Sequence, residues 1–336
     1  MSERIQGFKP SSSASPFRRM LRYASASYAW TRDMPKPERL ITSVGIALQG
    51  YTIYCVVMWA LGVPKAILGY MLVLPKGPLG YFLAWLLYMI GTFVMNGMLA
   101  SELARKAQLE ADQIAAQQIQ QTLHPQKLEE WPGYKVEAFY QPFREVGGDY
   151  FDVIDLPDNQ TLFALADVSG KGMPAALLAA NIQALVRSIA NVEPDPLDLA
   201  RQINKHLSRY TPPDRFATAV FILLSRDSGE LAYVNAGHDS PMVFCSGSTT
   251  LLQSTGIPLG LFAGAEYKLG TAVIPAGGTL LLFTDGLIDS IPAEDPSDRL
   301  REALADDSRR TLPTIESLAD PKLNKDDVTI LLLKRF

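Results

Sequence analysis

Two stretches of the chain carry no charged side chain at all. Residues 40–61 (LITSVGIALQGYTIYCVVMWAL) and 79–100 (LGYFLAWLLYMIGTFVMNGMLA) are each 22 residues long. A helix rises 1.5 Å per residue, so roughly 20 apolar residues cross a bilayer core. Buried helices of a soluble core normally keep a polar face, and neither stretch has one. The pattern therefore predicts a two-helix transmembrane hairpin. Behind it, residues 101–123 are rich in Ala, Gln, Leu and Glu and free of Gly and Pro until Pro125. They predict a helix that continues from the second span and stops at the proline. Its apolar positions Leu103, Ala107 and Ile114 form only a fragment of a heptad, which leaves a coiled coil and a solvated spacer equally open.

Beyond Trp131-Pro132-Gly133 the period changes. KVEAFYQP, GGDYFDVIDL, TLFALADV, TAVFILLS, ELAYVNAG, TLLLFTDG and DVTILLLK read as strands. MPAALLAANIQALVRSIANV reads as a helix, with Leu178, Ile182, Leu185 and Ile189 on one face. DLARQINKHLSRY, SDRLREALAD and TLPTIESLA add further helices. Strands grouped into hairpins with helices between the groups predict an α/β (α+β) fold, an antiparallel β-sandwich flanked by helices. The chain divides into a basic arm (1–39), the hairpin (40–100), a helical linker (101–132) and one domain (133–336).

Charge orients the hairpin. Eight basic residues precede the first span, the connector holds only Lys65 and Lys76, and Arg105 and Lys106 follow the second. The positive-inside bias predicts a multi-pass protein of the cell (inner) membrane, with both termini and the domain in the cytoplasm. The arm, with its SSSAS run, reads as flexible and near anionic lipid. A net charge of −4 and a pI near 5.5 argue against nucleic acid as a partner. Two cysteines and three histidines leave little room for thiolate or imidazole metal sites.

The chemistry lies in aspartates at strand ends. Asp149 and Asp152 follow Gly147-Gly148, Asp167 closes LFALADV, Asp285 follows LLLF, and Asp326-Asp327 open the last strand. One such aspartate is ordinarily a turn residue. Several gathered together repel one another unless a cation neutralises them, and oxygen-only ligands favour Mg²⁺ or Mn²⁺. REVGGDYFDV also has a superficial likeness to the signature loop of diguanylate cyclases. That loop lies deep inside its domain, whereas only about 16 residues separate Pro132 from Asp149.

REVGGDYFDV, ADVSGKGMPAAL, FATAVFILL, LAYVNAGHDSPMV, GIPLGL, LLFTDGLIDS and DDVTILLL, in this order, resemble the SpoIIE/RsbU branch of the PPM metal-dependent serine/threonine phosphatases. QQIQQTLHP resembles the linker that precedes this domain in the family. The resemblance implies stacked antiparallel sheets and two ions, Mn²⁺ or Mg²⁺. It implies that Asp149, Asp167, the Val168 carbonyl, Asp285 and Asp326 hold them, with Asp326 preferred to Asp327, and that metal-activated water hydrolyses a phosphoserine or phosphothreonine. It further implies a phosphorylated STAS-domain substrate, an anti-sigma-factor antagonist. Dimerisation through hairpin and linker is expected to switch the enzyme, and a metal-poor pseudophosphatase acting as a membrane scaffold is the alternative. Asp152 is expected behind the ligands or in a turn, and His238 in a turn. Met173, Met242, Phe151, Phe163 and Phe283 are expected in the core, while phosphate contact by Arg144 or Lys171 stays open.

Overall fold

The computed structural model describes residues 78–125, 127–128, 130–305 and 310–336. The basic arm and the first expected span, 40–61, lie outside them. The chain separates into two compact units, residues 1–110 and 111–336. Helix α1 (Pro78–Leu123) covers the second apolar stretch and the linker as far as Leu123 without a break. Within the first unit Trp85, Met89, Ile90 and Phe93 are exposed, Phe93 by 80%. Among the described residues, the helix that meets a length-and-hydropathy criterion for spanning is Met173–Ala190, which belongs to the core of the second unit.

The second unit is a sandwich. One sheet runs β1 (Tyr134–Gln141), β10 (Val328–Arg335), β9 (Thr279–Phe283), β6 (Met242–Cys245), β7 (Ser248–Leu251). The other runs β2 (Tyr150–Leu156), β3 (Gln160–Val168), β4 (Ala217–Ser225), β5 (Glu230–Ala236), β8 (Gly270–Val273). Every ladder is antiparallel. The expected two-sheet architecture with flanking helices is therefore present.

The central strands read as unbroken apolar runs because both of their faces are covered. Side chains alternate between faces, so Leu280 and Leu282 of β9 point into the sandwich with Leu331 and Leu333 of β10. Leu281, Phe283, Ile330 and Leu332 face the opposite way, under α4 (Asp285–Asp289), α5 (Pro296–Ala303) and α6 (Leu312–Glu316). The other sheet repeats the arrangement. Phe163, Leu165, Val220 and Ile222 face inward, while Ala164, Ala166 and Phe221 pack under α2 (Met173–Ala190) and α3 (Pro196–Tyr210).

Helix α2 begins at Gly172, whose φ of 75° suits glycine, with Pro174 in its first turn. Its spacing buries Ala175, Ala179, Ile182 and Val186. Asp195 caps α3 by accepting from the Leu197 and Asp198 amides at 2.6 and 3.2 Å. Met242, Phe151, Phe163 and Phe283 are buried as expected. Met173 is not: it lies in the first turn of α2 on the solvent side and is 38% exposed.

Candidate metal centre

The acidic residues gather where β2, β3, β9 and β10 begin or end. Asp149 precedes β2, Asp167 is the penultimate residue of β3, Asp285 opens α4 just past β9, and Asp326 stands two residues before β10. Asp149 is almost fully buried. Its Oδ2 accepts from the Thr284 hydroxyl at 2.8 Å and the Thr329 hydroxyl at 2.5 Å. Burial pushes its carboxyl well above the ordinary range and the Asp167 charge adds to this, while the two hydroxyls oppose the shift. Asp167 is pushed up to about 7, by burial first and then by Asp285, Asp326, Asp327 and Asp239. Asp285 is pushed up to about 6 by burial, then by Asp326, Asp239 and Asp289. The structure thus brings Asp149, Asp167, Asp285 and Asp326 into one electrostatic neighbourhood.

The two neighbouring aspartates of the last motif differ in what they touch. Asp327 accepts from the Phe143 amide at 2.7 Å and the Gly148 amide at 2.5 Å, one on each oxygen. It therefore fixes the loop 143–148. Asp326 lies nearer solvent; its Oδ1 accepts from the Asp327 amide and its Oδ2 pairs with the Lys171 ammonium at 2.5 Å.

Glycine at 147 and 148 leaves room for close neighbours. A Cβ at Gly147 would lie 2.6 Å from both Asp327 Oδ2 and the Tyr140 hydroxyl. One at Gly148 would lie 3.0 Å from the Val168 carbonyl and 3.2 Å from Ala175 Cβ. The backbone of this loop and the Val168 carbonyl are consequently in close apposition.

The donor set suits a hard divalent cation: carboxylates and one backbone carbonyl, held in mutual repulsion that positive charge would relieve. Among the described residues, no three His, Cys, Asp or Glu side chains converge as a ready-made ligand group. Protein groups hold the carboxylates instead, the threonine hydroxyls at Asp149 and Lys171 at Asp326. At the rim, Lys171 also reaches the Lys325 carbonyl. The exposed Arg144 guanidinium lies 3.8 Å from where a Cβ on Gly172 would stand, at the start of α2.

Other aspartate and histidine positions have structural work. Asp152 lies on β2, not in a turn, and is fully buried. Arg187 of α2 grips it with Nε and Nη2 at 2.7 and 3.0 Å. His238 donates from Nε2 to the Phe283 carbonyl at 3.1 Å and accepts the Thr218 hydroxyl at Nδ1, 2.8 Å away. Burial lowers its pKa to about 4, so the ring is neutral and braces the strand leading to Asp285. Sequence reasoning missed Thr284 and Thr329. Each threonine adjoins a flagged aspartate motif, which was the available signal.

The family model for Stage II sporulation protein E (SpoIIE) matches residues 157–336, more than half of the chain. The chain belongs to the SpoIIE family. Its second unit carries a PPM-type serine/threonine phosphatase domain, and phosphatases of this family are metal-dependent. The SpoIIE match includes Asp167, Asp285 and Asp326 but begins after Asp149, whose place in the cluster rests on the geometry above.

The chain is 24% identical over 233 residues to the phosphoserine phosphatase RsbU of Bacillus subtilis (strain 168), covering 66% of this chain and 69% of that one. It is 24% identical over 253 residues to the phosphoserine phosphatase RsbP of the same organism, covering 72% of this chain and 59% of that one. The SiaA-PP2C domain of Pseudomonas aeruginosa shares the fold, with a TM-score of 0.58 and 22% identity over 69% of this chain and 99% of that one.

Proposed function

We propose that this protein is a membrane-anchored, metal-dependent phosphatase acting on a phosphoserine or phosphothreonine of a regulatory protein. The observation that carries the proposal is the gathering of Asp149, Asp167, Asp285 and Asp326 at one end of the sandwich, where β2, β3, β9 and β10 begin or end. These four carboxylates and the Val168 carbonyl would hold two Mn²⁺ or Mg²⁺ ions. Bound there, the ions supply Lewis-acid charge neutralisation for in-line hydrolysis of the phosphoester.

The chain's own residues do the remaining work. Thr284 and Thr329 orient Asp149 and favour its charged form. Asp327 holds the loop 143–148 against β3. Lys171 and Arg144 put positive charge at the rim, where it draws a phosphate inward and competes with the carboxylates' own field. A water oxygen bonds to phosphorus as the phosphorus–oxygen bond to serine or threonine breaks; the leaving side-chain oxygen takes a proton from that water, giving the free hydroxyl and inorganic phosphate.

The resemblance to the RsbU branch supports a phosphorylated STAS-type substrate. The charge-free stretches at 40–61 and 79–100, the basic flanks and the exposed apolar face around Phe93 support a bilayer anchor with the domain in the cytoplasm. The unbroken helix from the second stretch into the linker supports a homodimer joined through hairpin and linker and switched by it. A scaffold without catalysis is the alternative, and the full carboxylate set speaks against it.

The test is dephosphorylation of a phosphorylated STAS-type protein by the full-length chain with Mn²⁺ added or removed by chelation. Asp149→Asn and Asp285→Asn should each abolish turnover. Full activity in both variants would refute the metal assignment. A protein cut at Trp131 that matched the membrane-embedded dimer in activity and metal affinity would refute the linker switch.

A further inference from the structure

Three large apolar side chains stand uncovered beside the carboxylate cluster. Phe143 is 43% exposed, Met173 38% and Leu177 65%. Met173 and Leu177 are four residues apart in the first turns of α2, so they share one face of that helix. Pro174, between them, is exposed as well. Further along α2 the exposed positions change character and become Asn181, Ala184, Arg187 and Ser188. A helix that packs one face on a sheet normally keeps the opposite face polar. On α2 that rule fails only at the end beside Lys171 and the carboxylates.

Phe143 belongs to the same surface although it comes from another loop. The Lys171 ammonium, two residues before Met173, lies over its ring, 5.2 Å from the centroid. The guanidinium of the adjacent Arg144 lies 3.8 Å from where a Cβ on Gly172 would stand, next to Met173. Asp327 holds the Phe143 backbone by accepting its amide at 2.7 Å, while the ring stays open to solvent. Lys171 in turn pairs with Asp326. One basic side chain therefore joins the apolar surface to the carboxylates.

A phosphate ester drawn in by Lys171 and Arg144 brings whatever carries it across this rim. A protein carrier covers Phe143, Met173 and Leu177; a small ester is too short to touch them. Apolar side chains packed beside a charged anchor are the usual source of binding energy in a protein interface. We propose that Phe143, Met173 and Leu177 form a docking shelf for the phosphoprotein substrate, gripping apolar residues that flank its phosphoserine or phosphothreonine. The shelf sets the preference for proteins over small phosphoesters. The inference rests on the metal-centre reading above and concerns the part of the substrate that the carboxylates do not reach.

The experiment uses the full-length protein with Mn²⁺ and two substrates, a phosphorylated STAS-type protein and p-nitrophenyl phosphate. Leu177→Gln puts a polar side chain of similar size and helix propensity at an exposed position, so the fold is kept. It should lower kcat/KM for the phosphoprotein about tenfold, through KM. Mn²⁺ affinity and kcat/KM for p-nitrophenyl phosphate should stay within about twofold of wild type. Met173→Gln should act in the same direction, while Leu177→Met, which keeps the surface apolar, should retain the wild-type phosphoprotein rate. Val192→Gln, at a residue 85% exposed just past the end of α2, should change nothing. Equal losses on both substrates would mark a structural role and overturn the inference. Phosphoprotein kinetics within about twofold of wild type in both glutamine variants would overturn it too, and an altered oligomeric state alongside them would give the face to a second copy of the chain. A wild-type protein that hydrolysed p-nitrophenyl phosphate but not the phosphoprotein would defeat the shelf and spare the metal centre. One that bound no Mn²⁺ and turned over neither substrate would defeat the metal-centre reading itself.

Discussion

Replacing Thr329 by valine removes one hydroxyl and almost no volume. In the wild-type protein that hydroxyl donates to Asp149 Oδ2 at 2.5 Å, inside the fold, with no exposed surface on Thr329. Hydrogen bonds to charged groups contribute about 1.5–3 kcal/mol. The bond favours the carboxylate over the carboxylic acid, and a metal requires the carboxylate. Asp149 keeps the Thr284 hydroxyl at 2.8 Å, so the lower end of that range applies. Thr329→Val should therefore weaken Mn²⁺ binding about tenfold, ~1.4 kcal/mol. Its effect on the metal-free fold should be small, since no donor is left buried without a partner.

Thr284→Val is the informative comparison. The Thr284 hydroxyl also accepts the Thr329 amide at 2.9 Å, so its loss leaves a buried N–H unsatisfied at a further cost of about 1–3 kcal/mol. Thr284→Val should lower both metal affinity and the melting temperature, Thr329→Val chiefly the former. Isothermal titration with Mn²⁺ and thermal unfolding in chelator separate the two effects. Mn²⁺ affinity in Thr329→Val within twofold of wild type would show that Asp149 is not a ligand whose charge those hydroxyls sustain.

Acidity should act with opposite sign on the metal-free and metal-bound forms. Asp167 and Asp285 have carboxyls raised to about 7 and about 6 from an unfolded value of 3.8, so their contribution to stability is full below pH 3.8 and is lost as pH rises through 6–7. The metal-free melting temperature should thus rise on going from pH 7.5 to 5.5, while Mn²⁺ affinity falls; melting curves in chelator and Mn²⁺ titrations at both pH values check this. Arg187→Met leaves the fully buried Asp152 carboxylate without its ion pair. Because half of Arg187 is exposed, the cost should be about 2–3 kcal/mol, below the range for wholly buried pairs, measured by urea unfolding with Mn²⁺ affinity unchanged. Gly147→Ala forces a Cβ against Asp327 and Tyr140 and should destabilise the fold by about 1–3 kcal/mol and weaken Mn²⁺ binding, read by the same two assays. Lys171→Gln frees Asp326 from its ammonium partner and should raise Mn²⁺ affinity a few-fold while raising KM for the phosphoprotein.

Strand and helix positions were legible where the period was strong. Seven strands and four helices of the second unit fall within a few residues of their expected places, because fully covered strands such as TLLLF and TILLL have no polar interruptions. The short strands β6, β7 and β8 and the helix α4 escaped notice: each spans four or five residues, too few for a period to register. Aspartates at strand ends were legible individually, and their order suggested one site. Partnerships across long sequence separations were not legible. Nothing in QQIQQ says which glutamine will face Gly147, 27 residues on, and nothing in FDV says that Asp152 will meet Arg187. Such pairings follow from the sheet order and the docking of α1 and α2, which local pattern does not encode. Met173 failed as a core residue for the same reason, since its burial depended on which side of α2 met the sheet.

The central claim is that Asp149, Asp167, Asp285 and Asp326 form one metal centre. Manganese anomalous scattering from crystals of the protein grown with Mn²⁺ tests it most directly. The account predicts two anomalous peaks among these four carboxylates and the Val168 carbonyl, with Asp327 still bonded to the loop amides. Peaks elsewhere, or none between Asp149 and Asp167 at Mn²⁺ concentrations that support turnover, would contradict it.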